Sequence, residues 1–167
     1  MASLYSRIPY QHAFVRLGVD ANERRVILLV EDDEDQVLLA RRALDKHGVA
    51  SEVDEVVVAR DGEKALDYLF GEGEHAGRDT SVTPEFVLLD VDLPGTTGLQ
   101  VLERVRADER TELVPVILFS ASNKHGDVVE GYKRGANSYV AKPSSFKEFS
   151  EAMRLLGWHW LNWNESP

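Results

Sequence analysis

The feature that most constrains this chain is an alternation: short apolar runs recur along it, each followed by a segment with helical spacing. Val26-Ile27-Leu28-Leu29-Val30 has no polar break, the pattern of a strand covered on both faces. Behind it Val37, Ala40 and Leu44 recur at helical spacing, and Gly48 stands where a C-cap belongs. Val53 to Ala59 predicts a second strand, and Asp61 an N-cap for a helix whose apolar face is Ala65, Leu66 and Leu69. The polar, Gly-rich stretch GEGEHAGRDTSVTP reads as a loop. Phe86 to Leu89 predicts the third strand, and Leu99, Leu102 and Val105 the third helix. Val114 to Phe119 follows as a fourth strand, Asp127 as the cap of a short helix through Arg134, and Ser138 to Val140 as a fifth strand. Ser145-Phe146-Lys147-Glu148 matches a capping box, with Phe149, Met153, Leu156 and Trp160 on one face behind it. Five such βα units predict an α/β fold: a doubly wound parallel sheet, helices on both faces, and ligands beyond the carboxyl ends of the strands.

Composition narrows the function. A length of 167 residues predicts one domain, or one domain with tails. A net charge of -10 argues against sequence-independent DNA binding, which needs Lys and Arg to displace counterions from phosphates. No apolar run of about 18 residues exists, so no membrane partner is expected. Residues 1–24 lack the apolar core of a secretory signal and read as an N-terminal arm outside the main fold. With no cysteine there is no disulfide, thiolate nucleophile or Cys-bound metal, and a cytoplasmic location is the natural inference. His12, His47, His75, His125 and His159 show no metal-ligand spacing.

At the carboxyl ends of the predicted strands stand Glu31-Asp32-Asp33, Asp90, Ser120 and Lys142-Pro143. One acid there would be unremarkable, because acids often cap the next helix. Asp33 has that reading as N-cap of the first helix, or the acidic pair shifts by one residue to include it. Four acids, a hydroxyl and a lysine gathered in one crevice are hard to explain as caps. Crowded carboxylates repel, and a divalent cation relieves the repulsion. An all-oxygen set favours Mg²⁺ or its relatives. Phosphoryl transfer needs in-line positioning and cations on the phosphoryl oxygens, and a carboxylate such as Asp90 can itself be the nucleophile.

The segments VILLVEDDE, VLLDVDLPGTTG, PVILFSAS and GANSYVAKP, in this order, resemble the receiver domain of two-component response regulators. The resemblance covers about residues 25–158. It implies a flavodoxin-like (βα)5 fold with strand order 2-1-3-4-5, and a protein that is not an enzyme beyond self-directed phosphotransfer and dephosphorylation. Asp90 would be the phospho-acceptor, fed by a sensor histidine kinase. Glu31, Asp32, Asp90 and the backbone carbonyl of Asp92 would hold Mg²⁺. Ser120 and Lys142 would hold the phosphoryl oxygens, with a cis peptide between Lys142 and Pro143, and Ser120 with Tyr139 would form the switch. Where the family commonly has a neutral residue two places after the acceptor, this chain has Asp92, which bears on the rate of hydrolysis. The long mid-chain loop, ANSYVAKPSSFKEF and the WHWLNWNE tail resemble single-domain regulators that accompany phytochrome-type histidine kinases.

Trp158, Trp160 and Trp163 crowd the end of the chain, and one helical face cannot bury all three. Residues 159–167 are therefore expected to form an aromatic tail in a homodimer contact with the last helix and the fifth strand. No output domain is expected after it. Two other functions compete. LLDVDLPGTT also resembles the nucleophile motif of haloacid-dehalogenase-type phosphatases, but that family's metal-binding acids follow its lysine. A phosphorylation-independent scaffold would leave a complete acidic pocket unused.

Overall fold

The computed structural model describes residues 24–49, 53 and 55–164. Five strands form one parallel sheet: β1 (Val26–Val30), β2 (Glu55–Ala59), β3 (Phe86–Asp90), β4 (Val116–Ser120) and β5 (Ser138–Ala141), in the order β2-β1-β3-β4-β5. Between and after them run α1 (Glu34–Lys46), α2 (Gly62–Phe70), α3 (Gly98–Arg106), α4 (His125–Lys133) and α5 (Phe146–Asn162). The expected doubly wound, flavodoxin-like topology is the one observed.

Successive side chains of a strand point to opposite faces, and here both faces are dry. Val26, Leu28, Val30, Val87, Leu89, Val116 and Leu118 face α2 and α3, packing on Ala65, Leu69, Val101, Leu102 and Val105. Their neighbours Ile27, Leu29, Phe86, Leu88, Ile117 and Phe119 face α1 and α5, packing on Val37, Ala40, Phe149, Met153 and Trp160. This double covering is why the central strands read as unbroken apolar runs rather than alternating ones.

Boundaries differ from expectation in informative places. β3, β4 and β5 each extend one residue further than predicted, so Asp90 and Ser120 are themselves strand residues. β4 starts at Val116, because Pro115 has no N–H to give a ladder, though its carbonyl accepts from Val87 N at 2.8 Å. Asp127 is not the N-cap of α4. Lys124 holds that place, since its carbonyl accepts from the amides of both Asp127 and Val128. A short 3-10 turn, Gly73–His75, interrupts the expected loop. An unforeseen capping box opens α3, where Thr97 and Gln100 bond reciprocally.

The expected boundary after residue 158 falls inside α5, which runs on to Asn162. Trp160 is buried in that last turn, whereas Trp158 and Trp163 remain 42% and 56% exposed with ring centroids 5.5 Å apart. The helix lies close to the body because residue 157 is glycine: a Cβ there would meet Val49 Cγ1 at 2.4 Å. The N-terminal arm, apart from Arg24, lies outside the described residues, as do residues 165–167.

Candidate functional site

Glu31, Asp90, Ser120 and Lys142 each sit at a strand's carboxyl end, held there by the sheet. Glu31 directly follows β1, and its amide extends the β1–β2 pairing by donating to Ala59 O at 3.0 Å. Lys142 directly follows β5, and its amide extends the β4–β5 pairing by donating to Ser120 O at 2.7 Å. Asp90 and Ser120 are the last residues of β3 and β4. Their positions are therefore set by sheet hydrogen bonds rather than by loop geometry.

The side chains converge. Lys142 Nζ lies 2.7 Å from Glu31 Oε2 and 3.1 Å from Asp90 Oδ1. All three side chains are largely withdrawn from solvent: 11% exposed for Lys142, 5% for Glu31 and 6% for Asp90. Two acids against one ammonium leave this buried centre with an excess of negative charge. Burial pushes the Glu31 carboxyl above its ordinary range, against the Lys142 hydrogen bond that lowers it, and the Asp90 charge adds to the upward push. Asp33 N donates to Glu31 Oε1 at 3.2 Å, and Asp92 N approaches Asp90 Oδ1 at 3.4 Å, so each buried carboxylate also receives a backbone donor.

The two aspartates after Glu31 divide their labour. Asp33 caps α1, its carboxylate accepting from Gln36 N at 3.0 Å. Asp32 is exposed and makes no cap; it joins Glu31 and Asp90 in a group whose ligand atoms all lie within 4.8 Å of one another. That set fits a hard divalent cation: it is all oxygen, it carries more negative charge than Lys142 balances, and Asp32 opens it toward solvent, where Mg²⁺ would keep waters.

Ser120 is buried, with its hydroxyl oxygen accepting from Ser122 N at 3.1 Å. Tyr139 is half-buried, and its hydroxyl donates to Ser122 O at 3.0 Å, so Ser122 links it to Ser120 by hydrogen bonds. The expected cis bond before Pro143 is not present: every peptide among the described residues is trans. The ladder bond at Lys142 N already aligns the backbone, and Nζ reaches both acids across the trans linkage.

Several residues escaped the sequence reading. Gly98 lets the start of α3 pass beneath β3, since a Cβ there would stand 2.1 Å from Asp90 O. Gly131 similarly admits the Tyr139 ring against α4, with a Cβ meeting Tyr139 Cδ2 at 3.0 Å. Ser122 bridges Ser120 and Tyr139. The glycines were visible as letters, but only the packing shows what approaches them.

A doubly wound parallel sheet with an acidic pocket, a hydroxyl and a lysine at its carboxyl edge defines the class. Residues 27–154 match the family model of the response regulator receiver domain, and the chain belongs to that family. The probable methanogenesis regulatory protein FilR2 of Methanothrix harundinacea is 35% identical over 149 residues, 89% of this chain and 92% of that protein. Response regulator Rcp1 of Synechocystis is 29% identical over 85% of this chain and 92% of its own length. Its Mn²⁺-bound crystal structure superposes with a TM-score of 0.76 at 28% identity, covering 86% of this chain and 99% of that one. The phosphorylated cyanobacterial phytochrome response regulator RcpA gives a TM-score of 0.78 at 30% identity, covering 86% and 99%.

Proposed function

We propose that this receiver accepts a phosphoryl group on Asp90 from the phosphohistidine of a sensor histidine kinase and changes its affinity for partners in response. The observation that carries the reading is the placement of the Lys142 ammonium against Asp90, inside a group of three carboxylates. An Asp90 carboxylate oxygen attacks phosphorus, the donor's P–N bond breaks, and the imidazole leaves with a proton, giving an aspartyl phosphate. Lys142, already 3.1 Å from Asp90 Oδ1, neutralises charge on the arriving phosphoryl oxygens, and the Ser120 hydroxyl offers them a hydrogen bond. Glu31, Asp32, Asp90 and the carbonyl of Asp92 would hold Mg²⁺, which when bound supplies further positive charge for the transferring group. The protein turns over no external substrate beyond its own phosphorylation and dephosphorylation.

The new phosphate carries about -1.5 to -2 charges and draws donors toward it. Ser120 moving toward it disturbs Ser122, and with it the Tyr139 hydroxyl. Likeness to the cyanobacterial phytochrome response regulator RcpA favours a phytochrome-type kinase as donor. Exposed Leu155, Trp158 and Trp163 favour association of two copies through α5, β5 and the C-terminal residues. The absence of cysteine accords with a cytoplasmic protein.

The test is incubation with acetyl phosphate and Mg²⁺, read on a phosphate-affinity gel. Wild type is expected to shift, while Asp90→Asn and an EDTA-treated sample are not. Failure of wild type with both acetyl phosphate and a cognate kinase would overturn the reading and leave the scaffold.

A further inference from the structure

Ser122 uses all three of its polar groups to join the site to its surroundings. Its amide donates to Ser120 Oγ at 3.1 Å, and its carbonyl accepts from the Tyr139 hydroxyl at 3.0 Å. Its own hydroxyl donates to Oδ2 of Asp127 and accepts from Lys124 N at 3.3 Å. Asp127 belongs to the first turn of α4, where a carboxylate is favoured by the helix dipole. That helix is weakly anchored. Its N-cap, Lys124, provides no side-chain hydrogen bond, and Gly131 is its buried residue. The Ser122–Asp127 pair thus substitutes for a cap, reaching back from inside the helix to a residue before it.

We propose that Asp127, acting through Ser122, is a positioning residue for Ser120. The pair holds residues 121–124 so that Ser122 N stays on Ser120 Oγ and Ser122 O stays on the Tyr139 hydroxyl. Moving the Ser120 hydroxyl toward a phosphoryl group on Asp90 carries Ser122 N with it or breaks that bond. Either course strains the Ser122–Asp127 contact. The contact therefore stabilises this arrangement of Ser120, Ser122 and Tyr139, and its removal lowers the cost of leaving it. This rests on Asp90 being the phospho-acceptor.

The experiment compares wild type, Asp127→Ala, Asp127→Asn and Ser122→Ala by the rate of phosphorylation with acetyl phosphate and Mg²⁺, and by amide hydrogen exchange of residues 121–128 without any phosphoryl donor. Asp127 is exposed, so each variant is expected to keep the wild-type circular dichroism spectrum. Losing one hydrogen bond is expected to speed phosphorylation about two- to tenfold in Asp127→Ala and Ser122→Ala. Asp127→Asn keeps an acceptor oxygen and should stay near wild type. Exchange at 121–128 should rise in Asp127→Ala and Ser122→Ala alone. Wild-type rates in Asp127→Ala would overturn the proposal, as would an equal rise in Asp127→Asn, which would assign the effect to charge. If no protein takes a phosphoryl group, the acceptor reading fails on its own. The exchange data then decide the restraint, with unchanged exchange in Asp127→Ala refuting it.

Discussion

The Lys142 ammonium stands 2.7 Å from Glu31 Oε2, so the residue that follows the last strand is tied to the residue that follows the first. The contact closes the crevice across β3 and β4 and places a cation beside Asp90. Replacing Lys142 by Met would leave two buried carboxylates without their cation. Unfolding in urea at neutral pH should then reveal a loss of about 3 kcal/mol. Under the proposed function, phosphorylation by acetyl phosphate should fall at least tenfold as well.

Under the proposed function, Asp32 serves metal binding while Asp33 serves helix capping. Asp32→Asn should weaken Mn²⁺ binding, measured by titration calorimetry, more than tenfold with little change in stability. Asp33→Ala should do the reverse, costing about 1 kcal/mol through the lost bond to Gln36 N while leaving Mn²⁺ affinity within a few-fold. Equal loss of affinity in both would return Asp33 to the ligand set.

Gly98 cannot gain a side chain without moving Asp90. A Cβ would lie 2.1 Å from Asp90 O and 2.8 Å from Val91 Cα, both backbone atoms. Gly98→Ala should cost about 1–3 kcal/mol in a denaturant titration. Under the proposed function it should also slow phosphorylation, because the shift falls on Asp90.

Arg106 is a structural hub far from the acidic pocket. Its guanidinium donates to Gly135 O at 2.8 Å, to Glu112 O and Val114 O at 2.9 Å, and to Asn137 Oδ1 at 2.6 Å. Asn137 Oδ1 in turn accepts from Val116 N at 2.8 Å, so the network fixes where β4 begins. Lysine has no planar fork to make these bonds together. Arg106→Lys should lower stability by about 2 kcal/mol in urea, with the phosphorylation rate per folded molecule unchanged.

The fold was legible because its physical requirement is local. A strand buried on both faces is apolar along its covered length, so VILLV, FVLL and VILF announce themselves without any knowledge of their neighbours. The acids, serine and lysine were legible for a related reason: a doubly wound sheet gathers whatever follows its strands into one crevice. The Asp127 cap was misread because Asp is a good cap wherever a helix starts, and the start was decided by the Lys124 carbonyl.

Sequence by itself thus determined the alternation of strands and helices, the sheet they must form and the residue types at its carboxyl edge. Tertiary structure alone decided that Lys142 pairs with Glu31 as well as Asp90, that Asp33 caps while Asp32 joins the acidic group, and that Ser122 links Ser120 to α4 and Tyr139. The division has a physical cause. Burial preference and helix periodicity act on each residue where it stands in the chain. Hydrogen bonds and ion pairs between distant segments exist only once packing has set those segments a few ångströms apart.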